Sequence, residues 1–273
     1  MALRKVTLGA LSFDVSDTGP EEAPAVLLLH GFPQSYRCWD GVAQRLNSQG
    51  YRTIAPNQRG YSAGARPLSV SDYGVPALVA DALGILDSLG VAQAHIAGHD
   101  WGGVLAWHLA VQHPERTRSL VAVSMPHPAA WEWARENDPD QQHSSRYLAE
   151  FRREGEIDQV IAAGGRLRAL MVPPLSDEQF APHQALMSGG AATPALNWYR
   201  AMGSFRALGP STVPTTYLWS TADTALGRAG AERCRRHVAG PYRFVELEGI
   251  THWVPETAPD AVAREILSAA EST

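Results

Sequence analysis

The chain has 273 residues, 45% of them hydrophobic and 19% charged, with a formal net charge of −5 at neutral pH. That length suffices for one large α/β domain, or a core domain with a smaller insertion, and can bury a sizeable core. The mild acidity leaves no footprint for nucleic acid or an anionic membrane surface, and no apolar stretch reaches spanning length, so the balance suits an enzyme acting on small molecules. Cys38 and Cys234 are too few for a disulfide framework and sit in no metal-ligand pattern, so free thiols in a reducing, cytoplasmic setting are expected. Arg4 and Lys5 open the chain, but Thr7, Ser12 and Asp14 interrupt the apolar run that a signal peptide needs. Neither a metal nor a cofactor is called for.

Residues 4–7 and 11–16 flank Gly9-Ala10 and read as an edge hairpin. The unbroken apolar run 25–29 marks a strand buried on both faces of a mostly parallel sheet, and it empties into His30-Gly31-Phe32-Pro33-Gln34-Ser35. A helix over about 39–47, a strand over 51–55 and a helix over 72–89 follow. Next come a strand at 93–97, the run Gly98-His99-Asp100-Trp101-Gly102-Gly103, a helix over 104–112 and a strand over 118–124. From Met125-Pro126-His127-Pro128 to about 208 the texture changes to aromatic-studded, Pro/Gly-punctuated helical segments without a strand. Strands at 215–219 and 242–247 and helices at 229–238 and 259–270 complete the chain. The pattern predicts an α/β core of 1–125 and 209–273 interrupted by a helical insertion, 126–208.

The run around Asp100 stands where a strand turns into a helix, the context of the nucleophile elbow G-x-S-x-G, with Asp in place of Ser. Such a turn forces its central residue into a strained conformation and exposes its side chain. Ligands of open α/β sheets gather beyond the strand C-termini. There the loops also hold Asp223 and His252, giving the chain order nucleophile, acid, histidine. Asp87 and Glu246 are the other carboxylates that could orient the imidazole, and any other of the ten histidines is by default a structural or surface group.

His30-Gly31-Phe32-Pro33, the Asp100 elbow and Gly249-Ile250-Thr251-His252-Trp253 together resemble the α/β-hydrolase superfamily, in its epoxide hydrolase and haloalkane dehalogenase branch, over essentially the whole chain. The resemblance implies a mostly parallel eight-stranded sheet flanked by helices, with the insertion as a cap. It also implies an oxyanion hole from the backbone N–H groups of Phe32 and Trp101. Asn197-Trp198-Tyr199-Arg200 is similar to the cap motif of epoxide hydrolases that supplies one of two tyrosines facing the nucleophile, and Tyr147, with Phe151 four residues on, resembles the site of the other. Both tyrosines would otherwise be amphipathic core of the insertion.

The identity of Asp100 selects the electrophile. A carboxylate attacking saturated carbon makes an ester that water can cleave, where serine would leave a stable ether. Asp223 would support a neutral His252 that activates this water. Ring opening needs a proton donor, and tyrosine, with a pKa of about 10, stays protonated at neutral pH. Hydrolysis of a small apolar epoxide by water, in a monomer or homodimer, is the expectation. Dehalogenation by the same aspartate is the alternative, with Trp101 and Trp131, Trp133 or Trp198 as halide donors. Phe32 departs from the Asn common in haloalkane dehalogenases, and Trp101 from the Arg usual in fluoroacetate dehalogenases. A ligand-binding module that has lost turnover is the third class.

Overall fold

The computed structural model describes residues 3–171, 173–205 and 207–272. Strands β1 (Arg4–Leu8), β2 (Leu11–Thr18), β3 (Ala25–Leu29), β4 (Arg52–Pro56), β5 (Ala94–His99), β6 (Thr117–Val123), β7 (Thr215–Ser220) and β8 (Tyr242–Leu247) form one eight-stranded sheet, ordered β1-β2-β4-β3-β5-β6-β7-β8. The β1–β2 hairpin forms the edge and joins β4 antiparallel; every pairing from β4 to β8 is parallel. Both β3 and β5 are buried at every position, which is why β3 is continuously apolar and β5 carries no polar side chains other than His95 and His99. Alternation sends Val26 and Leu28 to a core shared with Leu46, Val262 and Ile266, and Leu27 and Leu29 to one shared with Ile85, Leu105 and Leu109. Helices α1 (Asp40–Ser48) and α13 (Pro259–Glu271) cover the first face, α2 (Val75–Ser88) and α3 (Trp101–Gln112) the second.

Three helix boundaries differ from expectation. The segment expected as one helix over 72–89 is a 3₁₀ turn, Val70–Tyr73, followed by extended Gly74 and then α2, because Pro76 in the first turn starts a helix rather than continuing one. A 3₁₀ turn, Tyr36–Trp39, in which the Ser35 side chain caps the Arg37 N–H, precedes α1. The helix expected over 229–238 is α11 (Arg228–Arg233) followed by a 3₁₀ turn, Cys234–His237; α12 (Val254–Thr257) is too short to show periodicity.

Between β6 and β7 the chain forms α4 (Pro128–Asn137), α5 (Pro139–Ser144), α6 (Tyr147–Phe151), α7 (Glu156–Ala163), α8 (Gly165–Met171), α9 (Asp177–Leu186) and α10 (Ala192–Arg200), with no strand among the described residues. Three donors tie these helices to the sheet's loops: Trp198 Nε1 to the Arg59 carbonyl (2.9 Å), Trp253 Nε1 to that of Leu170 (3.1 Å) and Arg66 to that of Gly189 (2.9 Å). Cys38 and Cys234 are buried free thiols, and Cys234 Sγ accepts the His127 N–H (3.3 Å). Among the described residues no helix is long and apolar enough to cross a membrane.

Candidate active site

Asp100 joins β5 to α3 with φ 52° and ψ −119°, the strained turn that the glycine-flanked run predicts. Gly102 permits it, since a Cβ there would lie 2.0 Å from the Leu29 carbonyl oxygen. Gly31 leaves the carboxylate its room, since its Cβ would meet Asp100 Cβ at 2.4 Å. The Phe32 N–H donates to Asp100 Oδ1 (2.9 Å), and the Trp101 N–H also donates to this carboxylate. Both amides expected as oxyanion donors therefore already hold negative oxygen.

Beyond β7 and β8, Asp223 Oδ2 accepts from His252 Nδ1 at 2.8 Å, and His252 Nε2 lies 3.6 Å from Asp100 Oδ2. Asp223 Oδ1 accepts from the Ala225 and Leu226 N–H groups (2.8 and 3.0 Å). The other two candidate carboxylates are engaged elsewhere, Asp87 with Arg116 and Glu246 with Arg228. Burial opposes charge on His252 more than any other single cause, but Asp223 and Asp100 together outweigh it and raise its pKa to about 10. Burial likewise works against Asp100, and hydrogen bonding and attraction from His252 overcome it, leaving the carboxyl below its ordinary value. Between two carboxylates the imidazole of the resting site is thus favoured in its protonated form.

Sequence reasoning missed the groups behind this ion pair. His99 Nε2 donates to the His252 carbonyl (2.8 Å), its Nδ1 meets the Gln34 amide (2.8 Å), and Gln34 Nε2 donates to Glu256 (2.5 Å). From the insertion, His183 accepts the Ser35 N–H and donates to Glu256 (2.8 Å). Gln34 and His99 stand in the quoted motifs, a usable signal; for His183 and Glu256 no local pattern existed.

A cavity of about 340 Å³ opens over Asp100, lined by Phe32, Phe151, Leu167, Met171, Trp253, His252 and both tyrosines, Tyr147 and Tyr199. A smaller, mostly apolar chamber, lined by Met125, Trp131, Met202 and Phe205, also borders Asp100 and both tyrosines. The tyrosine rings meet edge to face at 6.2 Å. Burial, then the Asp100 charge, raises both phenol pKa values, so they stay protonated, and the Trp101 indole partly offsets this at Tyr199. Of the three tryptophans considered as halide donors in the insertion, Trp198 spends its N–H on Arg59, and Trp133 lies under the Arg233 guanidinium at 3.9 Å, outside either cavity lining. Trp131 lines the small chamber. No group of three or more potential metal ligands occurs among the described residues.

This sheet, elbow and loop arrangement is that of the α/β-hydrolase fold, whose family description matches residues 24–259, and the chain belongs to that family and is a hydrolase. Its relatives include AB hydrolase superfamily protein YfhM of Bacillus subtilis (strain 168), 33% identical over 96% of this chain and 95% of that one. Epoxide hydrolase 3 of Xenopus tropicalis is 30% identical over 94% of this chain and 74% of its own length. Among solved structures, an epoxide hydrolase of the α/β-hydrolase superfamily from metagenomes of hot environments superposes with a TM-score of 0.87 at 30% identity, covering 98% of each chain. Epoxide Hydrolase A from Mycobacterium thermoresistibile gives 0.86 at 26%, covering 99% of this chain and 98% of that one.

Proposed function

We propose that the protein hydrolyses small apolar epoxides to vicinal diols through an ester on Asp100, with residues 126–208 acting as the cap over a core of 1–125 and 209–273. One observation carries the reading: a carboxylate at the elbow shares its cavity with two protonated phenols. The carboxylate makes a cleavable ester only at saturated carbon, and the phenols can supply a proton to a leaving oxygen. The names of the relatives agree with it. The free thiols suit the expected cytoplasmic setting.

Asp100 Oδ2 attacks a ring carbon, the carbon–oxygen bond breaks, and Tyr147 or Tyr199 protonates the departing oxygen. Alkylation removes the Asp100 charge, so His252 loses one of the two carboxylates that held its proton. It returns that proton to the tyrosinate and becomes the base that the second step needs. Water, deprotonated by His252, adds to the ester carbonyl carbon. The negative charge develops on Oδ1, which the Phe32 N–H already meets, with the Trp101 N–H on the same carboxyl group; losing one such donor typically costs roughly 10²–10³ in rate. Collapse expels the diol oxygen, which takes the proton from His252, and the new Asp100 carboxyl reprotonates His252 to restore the ion pair. Departure of a halide would instead call for N–H donors, and Trp198 already donates to backbone while Trp133 lies outside the cavity lining.

Mass spectrometry of the His252→Gln variant mixed with an epoxide tests this. The variant should stop after the first step and carry the full mass of the epoxide on Asp100. Absence of an adduct on substrates that the wild-type protein converts would overturn the covalent route.

A further inference from the structure

We propose that Gln141, on α5, is a positioning residue for the triad acid, gripping the loop that presents Asp223 to His252. The inference rests on the reading of Asp223 and His252 given above. Gln141 is 1% exposed although its helix, Pro-Asp-Gln-Gln-His-Ser, is otherwise polar. A buried amide group left without a partner destabilises the fold, so the partners of such a side chain matter. Here every strong contact is made: Oε1 accepts the Gly227 N–H (2.8 Å), and Nε2 donates to the Ala225 carbonyl (2.8 Å) and to Ser145 Oγ (3.0 Å).

Two of these partners lie just C-terminal to Asp223, in the loop that presents it. Gln141 holds the Ala225 carbonyl and the Gly227 N–H, and the N–H groups of Ala225 itself and of Leu226, between the two held groups, both donate to Asp223 Oδ1, while Oδ2 is left for His252 Nδ1. One amide from the insertion therefore clamps the short segment whose backbone orients the carboxylate. Asp138 holds the clamp in place by accepting the Gln141 N–H (2.9 Å). Without it the segment regains freedom, Oδ1 loses its aligned donors, and the hydrogen bond to His252 loosens. Asp223 serves the water-activating step and not the attack on the ring, so that step should suffer selectively.

The test uses the full chain with ¹⁵N-labelled histidine and the variants Gln141→Met, of similar length but unable to make the clamp, and Ser145→Ala, which keeps both loop bonds. In the wild type the His252 Nδ1–H proton should resonate far downfield; Gln141→Met should shift it upfield or broaden it, and Ser145→Ala should leave it in place. In turnover of an epoxide, Gln141→Met should lower kcat and KM together by about tenfold, leave kcat/KM within about twofold, and accumulate the Asp100 ester. An unchanged resonance in a folded Gln141→Met protein, or kcat/KM falling as far as kcat without ester, would overturn the assignment. Should Gln141→Met fail to fold, Gln141→Glu, which keeps the acceptor for Gly227 and turns a repelling oxygen on Ala225, must weaken the resonance or the assignment fails. A wild-type enzyme that forms no ester would remove the proposed reaction, and the resonance would still decide the role of Gln141.

Discussion

His252 links the charge state of the resting site to its chemistry. With its pKa raised to about 10 and that of Asp100 lowered, the free enzyme holds an ion pair throughout the neutral range. Asp100→Asn removes one of the two carboxylates, so the imidazole of that variant should titrate at a lower pH, measurable by histidine NMR. Because the folded pKa lies above the unfolded value of about 6.5, the stabilisation from this proton is complete below that pH and is lost as pH rises toward about 10. The alkaline loss of stability should accordingly be smaller in Asp100→Asn than in the wild type. An equal alkaline loss in both would contradict the ion pair. The aspartate and its glycine-lined turn were readable in the run Gly98 to Gly103, whereas the protonation state of His252 was not, since it depends on two carboxylates that folding brings within 4 Å.

At the scale of elements, α10 shows how a four-residue motif divides its labour. Trp198 ties the helix to the loop after β4, Tyr199 faces the cavity, and Arg200 forks onto Asp158 of α7 (2.6 and 3.1 Å) with side chains only 4% and 11% exposed. Arg200→Ala strands a buried carboxylate and should cost about 3–5 kcal/mol in urea unfolding. The exposed pair Arg45–Asp260 joins α1 to α13, and Arg45→Ala should leave urea unfolding nearly unchanged. Similar losses for both would show that burial does not govern these pairs. The motif suggested Tyr199; the partners of Trp198 and Arg200 lie 139 and 42 residues away and left no local trace.

Over the whole molecule, burial lowers the pKa of His30 and His127 to about 3 and of His95 and His99 to about 4. These histidines fold neutral but bind protons when unfolded, so their stabilisation is complete above pH 6.5 and is lost as pH falls toward those values. Each removes about 1.4 kcal/mol per pH unit within its window. The thermal midpoint should fall steeply between pH 6 and pH 4, as about four titrations acting together require. A flat midpoint across that range would mean that the imidazoles gain solvent on protonation without unfolding.

The alternation of strand and helix, the buried parallel sheet, the helical segments between β6 and β7 and the placing of Asp100, Asp223 and His252 on loops beyond strand C-termini were determined by the sequence itself. Each rests on local chemistry: apolar runs, glycine at a tight turn, aspartate where serine is usual. Tertiary structure alone decided which carboxylate meets His252, why that imidazole keeps its proton, and how Gln141, 84 residues from Ala225, comes to hold the loop of Asp223. These features depend on distances between segments far apart in the chain and on the loss of water around them, and neither is written in any short stretch of residues.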